Sequence, residues 1–238
     1  MSADSALPGG SELAGGADLP AVDAEPFASG RDADVYAIDE SWVLRRYRSG
    51  YPVRDEADFM RWVAKYEYPV PVVRHVDGAD MVIERLTGPT LAEAAIAGEV
   101  SPLELGKIHA DLHRRLHGIP APSGAPGLVV MHGDLHPDNV ILTADGPVVI
   151  DWRNAEEGPP EFDIAMTAII FAQVALDPAF ASLSPMLRDA LATYLADSID
   201  PTPGLDAALE SRGRNITLTP EELALLPAQA DLIRSHLS

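Results

Sequence analysis

The sequence predicts an α+β chain of two lobes, a small antiparallel-sheet lobe followed by a mainly helical one, and three observations predict it. Alternating and β-branched runs crowd the region between Phe27 and Leu86, broken by one amphipathic helical stretch. From Thr90 onward the pattern turns helical, with repeated N-terminal capping signals. A single hairpin rich in acid and amide side chains interrupts the helical half between His132 and Trp152. Strands first and helices afterwards, rather than the two in alternation, is the order of an α+β fold.

With 238 residues, 47% of them hydrophobic, the chain can bury a proper core. The first 21 residues are rich in Gly, Ala, Ser and Asp and are expected to form a disordered tail, with the fold beginning at Val22. That segment has neither a basic start nor a long apolar stretch, so it does not read as a secretory signal. The most apolar run, Ile164 to Leu176, is too short to span a bilayer. The absence of cysteine removes disulfides and thiolate metal sites and suits a reducing compartment, so a soluble cytoplasmic protein is expected. A formal charge of −20 opposes nucleic-acid and anionic-membrane binding and favours either cationic ligands or simple solubility. Nothing in the sequence sets an oligomeric state.

Taken in order, Phe27 to Ile38 reads as strand, turn, strand, with the single glycine Gly30 in the turn, and Trp42 to Tyr47 as a third strand. Alternation puts Val43, Arg45 and Tyr47 on one face of it and Trp42, Leu44 and Arg46 on the other, so one arginine must point inward or toward a cleft. Asp55 to Tyr66 carries apolar side chains at Ala57, Phe59, Met60, Val63 and Ala64 and reads as an amphipathic helix. Glu56 stands in its first turn, where a carboxylate complements the helix dipole. Val72 to Val76 and Met81 to Leu86 complete a small sheet around Asp77-Gly78-Ala79-Asp80.

Thr90-Leu-Ala-Glu93 and Ser101-Pro-Leu-Glu104 both have the form of capping boxes, and Pro102 suits a first helical position. Leu105, Ile108, Leu112 and Leu116 form the buried stripe of the second helix, which Gly118 ends; His109 and His113 lie on or beside the stripe and read as packed histidines. Leu128 to Met131 is a short strand delivering His132 and Asp134 to a loop. Val140-Ile-Leu142 and Val148-Val-Ile150 then flank an Asp-Gly turn, so the hairpin brings Asn139 and Asp151 side by side one loop away from Asp134. An amide and a carboxylate so placed suit Mg²⁺, which takes one or two protein oxygens and otherwise keeps waters or substrate phosphates. Pro137 argues against a helix carrying His132 and His136 as ligands, and His132 reads as a residue that braces the loop.

His132-x-Asp134-x-x-x-x-Asn139, followed after a hairpin by Ile150-Asp151-Trp152, resembles the catalytic and metal loops of the aminoglycoside phosphotransferase and choline kinase-like family, distant relatives of the protein kinases. The resemblance runs from Val22 to Leu176. It implies a protein kinase-like fold, with 22–86 as a nucleotide-binding lobe and 87–238 as a helical lobe for catalysis and substrate. It further implies that Asp134 accepts the proton of a substrate hydroxyl, and that Asn139 and Asp151 hold Mg²⁺ against ATP. The turn at Gly30 would cover the nucleotide phosphates, and Arg45 would take the place of the lysine that grips the α and β phosphates, with Glu56 as its helical partner. This is a departure, because a guanidinium keeps the charge but not the shape of an ammonium. Glu84 and Leu86 would offer backbone groups to adenine. Asp163, in the acidic stretch after Trp152, would brace the catalytic loop.

Glu156, Glu157 and Glu161 read either as a solvated loop or as attractors for an amine-bearing acceptor. Helical patterns continue through Leu187, Leu191, Tyr194 and Leu195, and Thr219-Pro-Glu-Glu222 opens a last helix that Pro227 kinks or breaks. Three functions follow. The first is a small-molecule kinase moving the γ-phosphoryl group of ATP or GTP to a hydroxyl of a small substrate, such as an aminoglycoside or amino alcohol. The second is an inactive binding module on the same scaffold, and the third a metal-dependent hydrolase using His132, His136 and the carboxylates.

Overall fold

The computed structural model describes residues 25–30, 32–216 and 218–237. The expected tail, 1–21, lies outside the described residues, as does the expected start of the fold at Val22.

Five short strands form one antiparallel sheet: β1 (Ala28–Ser29), β2 (Ala33–Ala37), β3 (Trp42–Tyr47), β4 (Val73–Asp77) and β5 (Asp80–Glu84), in the spatial order β1-β2-β3-β5-β4. Helix α1 (Arg54–Ala64) is inserted between β3 and β4. In the β3–β5 register Val43 opposes Ile83 and Arg45 opposes Met81, and residues so paired share a face. That face packs on α1 and the rest of the core. The other face carries Leu44, which clusters with Tyr36 and Val82. The alternation in β3 is therefore set by burial on both sides, and it aims Arg45 at the interior. Helix α1 stops at Ala64, short of Tyr66, because Glu67 turns to φ 58° and the Tyr68 N–H returns to the Val63 carbonyl.

The remainder contains α2 (Leu91–Ile96), α3 (Pro102–His117), α4 (Pro160–Leu176), α5 (Ser184–Asp197), α6 (Thr202–Gly213), α7 (Pro220–Ala224) and α8 (Leu226–Leu237). Ser101 and Glu104 form the capping box at α3, and Thr90 with Glu93 does the same at α2. Gly118 ends α3, but in right-handed backbone at φ −77° rather than the left-handed conformation common there. Helix α4 is apolar all round and lies at the centre, packed by α5, α6 and α8. Helix α6 had no clear sequence signal. Pro201, Pro203 and Gly204 look like loop punctuation, yet proline is tolerated in a first helical turn, and Gly204 fits where a Cβ would come within 2.5 Å of the Glu161–Phe162 backbone. The expected last helix is broken at Leu225 into α7 and α8, with Pro227 in the first turn of α8.

Two further strand pairs complete the fold of the described residues. Strand β6 (Val129–Met131) pairs with β9 (Glu156–Gly158), so part of the acidic stretch after Trp152 is a strand; β7 (Val140–Thr143) pairs with β8 (Gly146–Val149). No described helix is long and apolar enough to cross a membrane.

The helical core holds a polar seam. His109, His113, His132 and Asp163 are fully buried. The Asp163 carboxylate accepts from the His132 and Gly133 N–H groups at 3.0 and 2.8 Å and meets His117 Nε2 at 3.0 Å. His113 Nδ1 pairs with the Tyr194 hydroxyl at 2.9 Å. Burial holds the imidazoles of His109, His113 and His132 below the usual histidine range, His109 at about 3. Burial alone would push the Asp163 carboxyl up, but His113 and His117 carry it well below the usual carboxylate range.

Two predictions follow from this packing. At Gly106 a Cβ would stand 2.5 Å from the Ala190 carbonyl and 2.7 Å from Thr193 Cβ, so α3 and α5 approach only because that atom is missing. Gly106→Ala is expected to cost about 1–3 kcal/mol of stability by overpacking, read as a lower Tm; an unchanged Tm would remove that close contact. The second concerns pH. Below about 6.5 an unfolded histidine takes up a proton that a buried neutral one refuses, so each such residue lowers stability by up to about 1.4 kcal/mol per pH unit as pH falls. His109→Phe removes one of them, and His109 already packs edge-on against Phe171 with ring centroids 5.2 Å apart. The Tm of this variant relative to wild type should rise as pH is lowered from 7 to 5, and a pH-independent difference would contradict the buried neutral imidazole.

Candidate active site

The site is assembled from the β7–β8 hairpin, the loop before it, and the inward face of β3. Asn139 ends a short 3-10 turn, Pro137–Asn139, whose start is fixed by the His136 imidazole accepting from the Asp138 N–H. The hairpin register pairs Val140 with Val149, and the Ile150 N–H donates to the Asn139 carbonyl at 2.9 Å. Asn139 therefore opposes Ile150, one residue short of Asp151. Asp151 then turns away in left-handed backbone, φ 63° and ψ 63°, a conformation that most L residues avoid and that Asp tolerates better than bulkier ones.

The loop between Met131 and Asn139 is held from below. His132 Nε2 donates to the Ile150 carbonyl at 3.0 Å, while its Nδ1 accepts from the Asp134 N–H at 3.3 Å. With both nitrogens engaged and its pKa lowered by burial, His132 is a neutral brace. Thr167 donates its hydroxyl to the Leu135 carbonyl from α4 at 2.8 Å, and the Asn139 side-chain N–H₂ donates to the Asp134 carbonyl at 2.9 Å. The Asp134 carboxylate itself is left with His136 Nε2, at 3.8 Å, as its nearest basic side chain among the described residues. Burial pushes its carboxyl up, with His136, His132 and Arg212 pulling the other way.

Arg45 crosses to this hairpin from the sheet. Its Nη1 meets Glu56 Oε1 at 2.5 Å and its Nη2 meets Asp151 Oδ1 at 2.5 Å, with the Tyr47 hydroxyl donating to the other Glu56 oxygen at 2.8 Å. Burial drives the Glu56 carboxyl up against the pull of Arg45 and Tyr47. Burial would also raise Asp151, but Arg45 outweighs it and holds that carboxyl low, and the guanidinium is raised in turn by its two acids against its own desolvation.

Above the Arg45 contact lies a cavity of about 370 Å³, walled by Gly30, Arg45, Glu84 and Leu86 from the sheet side and by Asn139 and Asp151 from the hairpin. Glu56 sits behind Arg45, out of the wall. Asp134 also lies outside this wall, next to Asn139. Six of the eight sequence-derived site residues therefore share one cavity and the other two flank it. At its outer end the Leu86 N–H makes no hydrogen bond among the described residues, whereas the N–H groups of Glu84 and Arg85 are taken by Val72 and Ser41 carbonyls.

The residues fit a Mg²⁺ ion. Asn139 spends its side-chain N–H₂ on the Asp134 carbonyl, and Asp151 spends Oδ1 on Arg45, which leaves one oxygen of each without a protein hydrogen bond. The ligand set of a hydrolase does not form, since both His132 nitrogens are committed. His113, His117 and Asp163 do gather within 4.8 Å, but both Asp163 oxygens already hold the loop N–H groups. Sequence reasoning missed His117 as a partner of Asp163, and it missed Asp32 and Arg153 in the cavity wall. Only their places beside Gly30 and Asp151 could have signalled the last two.

No curated protein sequence matches the chain. Among solved structures, the aminoglycoside phosphotransferase APH(2'')-Ib, ADP-bound, is 14% identical with a TM-score of 0.54, covering 87% of this chain and 93% of that one. The Plasmodium vivax ethanolamine kinase is 12% identical at 0.52, covering 88% and 75%. A choline/ethanolamine kinase family protein from Mesorhizobium loti is 17% identical at 0.50, covering 93% and 79%. At such identities the likeness shows the fold, which is the two-lobed kinase-like one. A family model described as "Phosphotransferase enzyme family" matches residues 23–127 and 121–196, well over half of the 238 residues. The chain belongs to that phosphotransferase enzyme family.

Proposed function

We propose that the protein transfers the γ-phosphoryl group of ATP or GTP to a hydroxyl of a small molecule. The observation that carries this reading is the Arg45 guanidinium joined to Glu56 and Asp151 at 2.5 Å, in the wall of a cavity that also contains Asn139. The sheet lobe, 22–86, would hold the nucleotide, with Glu84 and Leu86 presenting backbone to the base and the Gly30 turn facing the phosphates. The helical lobe, 87–238, would supply catalysis and the acceptor. Asn139 and Asp151 would hold Mg²⁺, which when bound neutralises charge on the phosphates.

In this reading Asp134 receives the acceptor's hydroxyl. Its carboxylate, raised by burial and free of a strong protein partner, accepts the hydroxyl proton as the acceptor oxygen bonds to the γ-phosphorus. The bond from that phosphorus to the β-phosphate oxygen breaks, leaving the nucleoside diphosphate. The rest is positioning, which His132 and Asp163 supply by fixing the loop that carries Asp134. The similar structures include an aminoglycoside phosphotransferase and an ethanolamine kinase, whose names point to amine-bearing acceptors. A chain of charge −20 favours such a cation, and we take a small cationic alcohol in the cytoplasm as the working substrate class.

Asp134→Asn keeps the shape and removes the proton acceptor. It should lower kcat by at least about a hundredfold while leaving nucleotide affinity within about twofold, measured by transfer of labelled phosphate to a panel of hydroxyl compounds alongside calorimetry. Retained turnover would take Asp134 out of the reaction.

A further inference from the structure

Arg153 follows Asp151 by two residues, in the 3-10 turn Trp152–Asn154, and reaches back to the opposite wall of the cavity. There its guanidinium pairs with the Asp32 carboxylate, just before β2. Two neighbouring aromatic rings support it, Tyr47 with its ring centre 5.3 Å away and Tyr51 at 4.9 Å. Both partners of the pair line the cavity.

Among the described residues three arginines stand in that wall, and their commitments differ. Arg45 has both terminal nitrogens on buried or half-buried acids. Arg85 lies over the Phe27 ring at 4.6 Å and donates to the Asp39 carbonyl at 3.1 Å, beside Glu84 and Leu86. Arg153, in contrast, has one acid partner among the described residues, Asp32, 48% exposed, where Arg45 has two, one of them the buried Glu56, and it follows Asp151 by two residues. A guanidinium has five donors and recognises phosphate as it does carboxylate, so exchanging Asp32 for a phosphate keeps its hydrogen bonds. The two tyrosine rings hold it in place during that exchange. Across the cavity, the Gly30 N–H is already donated to the Ala33 carbonyl at 2.9 Å.

We propose that Arg153 is a ligand of the nucleotide's terminal phosphates, holding them beside Asn139 and Asp151, and that Asp32 is the carboxylate it releases to do so. The inference rests on the kinase reading above and adds to it a phosphate-binding residue drawn from the hairpin side of the cavity. It also gives Asp32 a defined role, that of a competitor for Arg153 whose removal helps the nucleotide.

The test is calorimetric titration of wild type, Arg153→Ala and Asp32→Ala with ATP, GTP, AMP and GMP in the presence of Mg²⁺. Loss of a charge-assisted contact to the outer phosphates should weaken triphosphate binding about tenfold to a hundredfold in Arg153→Ala and leave the monophosphates within about twofold. Asp32→Ala should bind triphosphate at least as tightly as wild type, because a negative group has left the phosphate end. Equal weakening in both variants would overturn the proposal, since Arg153 would then act only by tethering the Asp32 turn. So would an unchanged triphosphate affinity in Arg153→Ala, or an equal loss for mono- and triphosphates. Wild type that binds none of the four would instead remove the kinase reading itself, and this inference with it.

Discussion

One ionic contact organises this molecule: the Arg45 guanidinium, only 13% exposed, shared between Glu56 at 1% and Asp151 at 42%. Taking Arg45 and Glu56 out of water is expensive, and leaving either without the other would cost about 3–5 kcal/mol. The two must therefore stay together, which fixes α1 against β3 and sets the depth of the sheet face that carries Val43 and Tyr47. The third member, Asp151, belongs to the hairpin more than a hundred residues later in sequence. Through it the sheet is tied to the helical part at the point where the chain turns into left-handed backbone. Of these three side chains that fix the two lobes relative to one another, Arg45 and Asp151 also line the cavity, while Glu56 stands behind Arg45.

A second set of contacts carries the rigidity of the helical core up to the loop with Asp134. Helix α4 is buried on all sides, so its first turn is held by packing, and Asp163 in that turn accepts from the His132 and Gly133 backbone. Thr167, one turn on, holds the Leu135 carbonyl. Helix α3 contributes His117 to the same carboxylate, and α5 contributes Tyr194 to His113. The loop thus rests on three helices, while the Asp134 carboxylate itself is left open to one side. A rigid support beneath a carboxylate with few partners is the arrangement that the proposed role of Asp134 as proton acceptor requires.

Much of this was legible in the sequence where the signal is local or periodic. Alternation in Trp42 to Tyr47 required one of Arg45 and Arg46 to face inward and the family resemblance picked out Arg45, capping residues Thr90, Ser101 and Thr219 marked helix starts, and the Asp145-Gly146 turn marked the hairpin. What was not legible depends on contacts between distant residues. Strand β9 is an acidic segment made a strand by pairing with β6, and α6 begins at residues that look like a loop until Gly204 is seen against the α4 backbone. The Asp32–Arg153 pair joins residues 121 positions apart, and the His117–Asp163 pair residues 46 apart, with nothing in either neighbourhood to announce the partner. The hairpin register, one residue away from setting Asn139 opposite Asp151, is likewise a property of the folded pair and not of either strand.

The most direct test of the central claim is a double-mutant cycle on stability between Arg45→Met and Asp151→Asn, measured by denaturant unfolding. If the guanidinium ties the sheet to the hairpin, the two substitutions should be non-additive, with a coupling of at least about 1 kcal/mol. Strict additivity would mean that Arg45 serves Glu56 alone, and the link between the lobes on which this account of the site is built would be absent.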